Sequence, residues 1–266
     1  ISVAISHSLL MTGSSTGTAL VTGGAKRIGR EIAFALAADG WQVAVHYHGS
    51  STEAEAVVEE IFATGGKAIS VQADLTDETA VAAMIPDVAG QLGPVSCVVN
   101  NASIFEEDSV LSASKQSWDG HMAVNLRAPF LLIQSLAINL PKHEKANIIN
   151  IVDQRVENLT PYFTSYTLSK SALWTLTQTA AVALASNIRV NAIGPGPTLP
   201  STRQSDDQFE RQIELTPLQV QVDPKEISAA VRFILATPSM TGQLLSLDSG
   251  QHLGWAQPGQ SSLPDE

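Results

Sequence analysis

Short apolar runs rich in β-branched residues alternate along most of the chain with longer stretches patterned for helix, and few architectures accommodate that alternation. TALVT (18–22), WQVAVHYH (41–48), KAISVQAD (67–74), VSCVVN (95–100), ANIINIV (146–152), NIRVNAI (187–193) and QLLSLDSG (243–250) read as strands. Between them, 27–40, 51–66 and 76–93 read as helices, the second with a Ser/Thr cap and the third perturbed near Pro86. Further helices are predicted across 116–140, 162–186 and 223–237, and the segment 197–223 reads as irregular. Strands joined through helices need crossover connections, which run neighbouring strands parallel and place helices on both faces. The expectation is a three-layer α/β fold: a doubly wound, mostly parallel, seven-stranded sheet in a single domain over 18–266. Residues 1–17 read as a weakly ordered extension, with Met11 nearer the functional start.

Bulk properties narrow the partners. The net charge of −11 disfavours nucleic acid and anionic membranes. No apolar stretch reaches the roughly 18 residues of a membrane helix, and the first residues lack the basic start of a signal peptide. Cys97 is the one cysteine, inside an apolar run, so it reads as a buried thiol in a reducing cytoplasm. The six histidines, His7, His46, His48, His121, His143 and His252, show no metal-ligand spacing, and no metal is expected.

The turn VTGGAKRIGRE (21–31) lies between the first strand and the first helix. In that context Gly23 and Gly24 permit a tight turn, Gly29 permits close packing, and the helix N-terminus offers N–H groups to a pyrophosphate. The pattern is T-G-x-x-x-R-x-G rather than G-x-G-x-x-G, with Lys26 and Arg27 adding positive charge. An NAD site carries an acid about 20 residues further on to bond the ribose 2′-hydroxyl. Here the second strand ends VHYHGSS (45–51), and the first acid is Glu53. Lys26, Arg27, His48 and Ser50 would attract a 2′-phosphate, so NADP(H) is the expected cofactor.

Tyr166 and Lys170 stand four residues apart on a predicted helix and share a face. A tyrosine with pKa about 10 is a poor acid near neutrality, and a neighbouring ammonium would lower that value and make it a usable proton donor. The pair follows the fifth strand, and Asp153 lies at that strand's carboxyl end, where ligands of such sheets sit. Tyr162 has no lysine at the same spacing.

TGGAKRIG (22–29), ADL (73–75), NNAS (100–103), VNL (124–126), YTLSK (166–170), NAIGPG (191–196) and LDSG (247–250) together resemble the short-chain dehydrogenase/reductase family over about 18–254, a family with the Rossmann fold. Within it, the arginine in the Gly-rich turn, the HYH strand end and the aspartate at 153 resemble the pteridine and dihydromonapterin reductases. The resemblance implies that Arg27, Ile28, Tyr47, His48 and Ser50 line the adenosine and phosphate side of NADPH, with Gly23 in the turn. Asp74 and Leu75 would flank the adenine, and Asn101, Ala102 and Ser103 would run beside ribose and phosphates. Lys170 would hold the nicotinamide ribose, Pro195 and Gly196 the carboxamide end, and Asn125 a proton-relay water. Phe105 matches the aromatic that sandwiches a pterin against the nicotinamide. One departure stands out: those relatives read HYHR, and here Gly49 follows His48. The resemblance also implies a homotetramer packed through the long helix, which carries Leu168, Leu173, Trp174 and Leu176.

An ordinary family member uses a serine hydroxyl to donate to a carbonyl oxygen that becomes anionic as hydride arrives. An ionised aspartate only accepts, so Asp153 suits a substrate with N–H donors, reduced at C=N. The expected function is hydride transfer from NADPH to a pterin-like C=N bond. Tyr166 is the proton donor, Lys170 lowers its pKa, and Asp153 positions the substrate. A general carbonyl reductase acting on a 3-oxoacyl thioester or sugar is the alternative enzyme. A non-catalytic NADPH-binding regulator would not need Tyr166, Lys170 and Asn125 together.

Overall fold

A computed structural model describes residues 16–201 and 203–254. The extension expected at 1–17 falls outside them except for Thr16 and Gly17, and the Gly17 carbonyl already accepts the Gln42 N–H at 3.2 Å. Seven strands form one sheet: β1 (Thr18–Val21), β2 (Gln42–Tyr47), β3 (Lys67–Gln72), β4 (Val95–Asn100), β5 (Ala146–Ile151), β6 (Ile188–Pro195) and β7 (Leu244–Leu247). Their order is β3-β2-β1-β4-β5-β6-β7, and every pairing is parallel. The order reverses between β1 and β4, and such a switch point opens a crevice at the carboxyl ends of the strands.

Alternation along each strand feeds two separate cores. Val21, Val45, Val99 and Ile149 pack with α1 (Arg27–Ala38), α2 (Ser51–Ala63) and α8 (Pro224–Ala236) on one face. Leu20, Ala44, Val98 and Ile148 pack with α3 (Glu78–Leu92), α5 (Ala128–Asn139) and α6 (Thr164–Leu184) on the other. Both strand faces are covered, which is why the strands are close to continuously apolar.

Four local expectations are corrected. The predicted 116–140 helix is α4 (Lys115–Met122) and α5 joined by a π-helical turn, Ala123–Arg127, with Asn125 inside it. The 197–223 segment contains a helix, α7 (Asp206–Glu214), held by a capping box between Ser205 and Gln208. Its polar, short sequence hides the signal, because only Phe209 of the helix is buried. Pro86 does not interrupt α3. The N-cap of α2 is Ser50, and its side chain makes no capping bond.

Candidate active site

The Gly-rich turn is built by contacts from three directions. Gly23 has φ +62°, a conformation L side chains rarely adopt. A Cβ at Gly29 would lie 2.2 Å from the Gly23 carbonyl oxygen and 2.6 Å from Asn101 Nδ2. Asn101, just beyond β4, donates through Nδ2 to the carbonyls of Thr22 (2.8 Å) and Gly23 (3.2 Å). The Thr22 hydroxyl accepts the N–H groups of Asn101 and Ala102. His46 supports the turn from β2: Nδ1 accepts the Gly23 N–H at 3.1 Å, and Nε2 lies 3.2 Å from the Ala73 carbonyl. Burial pushes its pKa down to about 4, so the neutral ring has one acceptor and one donor, matching its two partners. Sequence reading assigned His46 no role, and its partners, Gly23 and Ala73, lie outside its own strand.

The cations expected around a 2′-phosphate are engaged with protein groups. Lys26 Nζ is 2.7 Å from Glu53, the acid that seemed too remote to matter. His48 Nε2 is 4.0 Å from Asp74. Asp74 also accepts the Thr76 N–H and hydroxyl, both at 2.8 Å. Ser50 stands beside them at the start of α2. Arg27 turns toward the segment after β6, donating from Nη1 to the Pro200 carbonyl (2.9 Å) and from Nη2 to that of Leu199 (3.0 Å). Leu75 is buried in the second core, and Ile28 and Tyr47 are partly buried against the first.

A second group gathers at the ends of β4, β5 and β6. Asp153 follows β5 and caps the short 3₁₀ turn Gln154–Val156, its Oδ1 accepting the Arg155 N–H at 2.8 Å. Its Oδ2 accepts the Tyr166 hydroxyl at 2.8 Å. Lys170, one turn along α6, is buried and donates to the Ile151 carbonyl at 2.8 Å. Burial lowers its pKa to about 8, opposed by the Asp153 charge. Tyr166 moves opposite to expectation: burial and the Asp153 charge push its pKa well up, and the Arg155 charge pulls it down. Lys170 Nζ sits 5.8 Å from the Tyr166 ring centroid, and the Arg155 charge opposes the rise caused by burial.

Asn125 uses the π turn to reach three neighbours. Its Oδ1 accepts the Ile104 N–H (2.9 Å) and the Ser103 hydroxyl (3.1 Å), while Nδ2 donates to the Ile104 carbonyl (3.0 Å) and Ser169 Oγ (3.1 Å). It thereby ties the strand-end loop to α6 beside Lys170. A buried network reinforces the tie: Asp108 Oδ1 accepts the Ser165 N–H (3.0 Å), and Oδ2 accepts the Ser165 and Ser117 hydroxyls. His121 Nε2 accepts the Glu106 N–H at 3.0 Å, and its Nδ1 is 2.6 Å from Ser165 Oγ.

Between Asp153 and α7 lies a cleft of about 150 Å³ lined by Arg27, Phe105, Arg155, Phe163, Tyr166, Gly196 and Arg203 among others. Phe105 stacks on Phe163 with centroids 4.3 Å apart and meets the Tyr166 ring edge-on at 4.7 Å. Pro195 ends β6 above Gly196, where a Cβ would lie 2.6 Å from Asp248 Cα. The structure thus brings Asp153, Tyr166, Lys170, Asn125, Ser103 and Phe105 into one neighbourhood. Phe163, Arg155, Arg203 and the Asp108 network are members that sequence reading did not pick. None has a periodic signal, because each acts across elements. A larger cavity, about 370 Å³, lies at the opposite ends of β5 and β6 and contains none of these groups. Among the described residues, no cluster of His, Cys, Asp or Glu is arranged to hold a metal, and no helix is long and apolar enough to cross a membrane.

The model of the short chain dehydrogenase family matches residues 17–211. The chain belongs to that family. It is an oxidoreductase. Among solved structures it is similar to FolM Alternative dihydrofolate reductase 1 from Brucella canis, complexed with NADP, at 46% identity and TM-score 0.89, covering 93% of this chain and 98% of that one. The Brucella suis counterpart, also with NADP, is 47% identical, with TM-score 0.89, 92% of this chain and 98% of that one covered. Among curated proteins it is 35% identical over 241 residues to the 3-oxoacyl-[acyl-carrier-protein] reductase FabG of Staphylococcus epidermidis, covering 89% of this chain and 99% of the relative. Short-chain relatives thus fall on two substrate classes, and the residue at 153 bears on the choice.

Proposed function

We propose that this chain is an NADPH-dependent reductase that delivers hydride to a C=N bond of a dihydropterin-like substrate. The cofactor is NADP(H), in keeping with the complexes of the two Brucella relatives. The residues fit it: the Gly23 turn, at φ +62°, leads into the N-terminus of α1, whose free N–H groups suit a pyrophosphate, and Asn101 fixes that turn. When bound, the nicotinamide supplies the hydride.

The observation that carries the reading is the Asp153 carboxylate receiving the Tyr166 hydroxyl at 2.8 Å on the wall of an aromatic cleft. A carbonyl reductase needs donors aimed at the developing oxyanion. Asp153 offers acceptor oxygens, which match ring N–H groups and leave Tyr166 to protonate a ring nitrogen. In this reading Lys170 holds the nicotinamide ribose and Asn125 keeps the Ser103–Phe105 loop against α6. Phe105 offers its face to the ring. Arg27, His48 and Ser50 would turn to the 2′-phosphate and Ser103 to the phosphates. The enzyme works in the cytoplasm as a homotetramer, burying the exposed Phe130, Ile138, Leu168 and Val182 of α5 and α6; light scattering giving a monomer would exclude the tetramer.

Asp153→Ser is the direct test. With a dihydropterin the variant is expected to lose about a hundredfold or more in kcat, and full retention overturns the assigned role. Following NADPH oxidation with a dihydropterin and with a 3-oxoacyl thioester separates the two substrate classes. Turnover of the thioester alone would transfer the protein to the carbonyl reductases.

A further inference from the structure

Arg155 is buried to the same degree as core residues, with a side chain 7% exposed, yet it carries full charge into the cleft. Its Nη1 lies 3.6 Å from Asp153 Oδ2, the oxygen that receives the Tyr166 hydroxyl. Its own backbone N–H holds Asp153 Oδ1 at 2.8 Å. Its guanidinium carbon lies 5.2 Å from the Phe163 ring centroid and 5.5 Å from that of Phe105. One residue therefore touches the carboxylate twice and both rings of the aromatic stack. A buried arginine of this kind costs desolvation and needs compensating partners, and Asp153, Phe105 and Phe163 of the candidate reaction site are among them.

We propose that Arg155 is a positioning residue of the reductase: lodged between Asp153 and the Phe105–Phe163 stack, it aims the carboxylate at the Tyr166 hydroxyl and sets the charge that the Asp153–Tyr166 pair presents to substrate. The charge argument depends on which cations face the pair. Lys170, from α6, points one N–H at the Ile151 carbonyl and lies 5.8 Å from the Tyr166 ring centroid, with no ion pair to Asp153 among the described residues. His121, from α4, has its ring centroid 5.9 Å from that of Tyr166, and burial lowers its proton affinity. Arg27 and Arg203 line the cleft, but Arg27 bonds the Leu199 and Pro200 carbonyls and Arg203 pairs with Glu106 at 2.6 Å. Arg155 alone among them is in ionic contact with Asp153 Oδ2. Its charge also opposes the rise in the Tyr166 proton affinity caused by burial and Asp153. Removing that positive charge favours the protonated form of Tyr166.

The inference rests on the reductase reading, and the experiment separates the two. The pH dependence of kcat/KM is measured for wild type, Arg155→Lys and Arg155→Gln, by NADPH oxidation with a dihydropterin and with a 3-oxoacyl thioester. Arg155→Gln is expected to lose roughly tenfold or more and to move the alkaline limb of its profile upward by about one pH unit. Arg155→Lys keeps the charge and is expected to restore the position of the profile, with part of the loss in height remaining because a lysine lacks the planar fork. Arg155→Met, which keeps a long stem against the rings, replaces the glutamine variant if that one does not fold. An Arg155→Gln profile that superimposes on wild type after scaling, or an Arg155→Lys profile displaced as far as the glutamine one, overturns the proposal while leaving the pterin reading intact. Turnover of the thioester alone, with the shift present, overturns the pterin reading and leaves Arg155 in its role. Turnover of neither substrate overturns both.

Discussion

His46 shows how a residue can carry a site without touching a ligand. It holds the Gly23 N–H and the Ala73 carbonyl with a neutral ring, and burial depresses its pKa to about 4 from an unfolded value near 6.5. The unfolded chain therefore takes up a proton at a pH where the folded protein does not. The stability this neutral ring supports is present above pH 6.5, is lost as pH falls through the window from 6.5 to about 4, and changes no further below it. Between pH 7 and pH 5 this amounts to about 2 kcal/mol. Urea unfolding at the two pH values measures it. His46→Gln should remove most of that pH dependence, and an equal slope in the variant would assign it to other groups. Asp153 is the contrasting case, since its chemistry was legible from residue type alone: a carboxylate accepts, whatever surrounds it.

At the scale of elements, the site depends on departures from regular structure. The π turn between α4 and α5 delivers Asn125 to both the strand-end loop and Ser169. A regular 3.6 period predicted one helix there, because a single inserted residue barely disturbs the apolar pattern. The helix α7 was missed for a different reason. It is short and polar, and its existence depends on the Ser205–Gln208 capping box and on Phe209 reaching the cleft. Ser205→Ala is expected to weaken α7 by about 1 kcal/mol. Amide exchange over 206–214 should quicken about fivefold while the global unfolding midpoint stays put. An unchanged exchange rate would show that packing, rather than the cap, holds the helix.

For the whole molecule, the sheet order places Gly23, Asn101, Asp153 and Gly196 at the carboxyl ends of β1, β4, β5 and β6 around the switch point. A ligand bridging these ends ties both halves of the sheet and should stabilise the whole chain. At a hundredfold excess over its Kd, NADPH is expected to add about 2.7 kcal/mol, a rise in melting temperature of several degrees. NADH at the same concentration should give a smaller rise. A larger one would refute the NADP preference, which the engagement of Lys26 by Glu53 and of His48 by Asp74 makes the more demanding test.

By itself the sequence determined the layered, parallel architecture, the glycine turn and the identity of Asp153, Tyr166 and Lys170. These follow from local periodicity, from the steric demand of a tight turn and from functional groups whose chemistry goes with the residue. Tertiary structure decided which charge serves which group. The Arg155 charge opposes the burial of Tyr166, and Arg27 faces the segment after β6. It also decided that Phe105 lies against Phe163. Coulomb and packing energies depend on distances between residues far apart in the chain, and no spacing along the sequence encodes those distances.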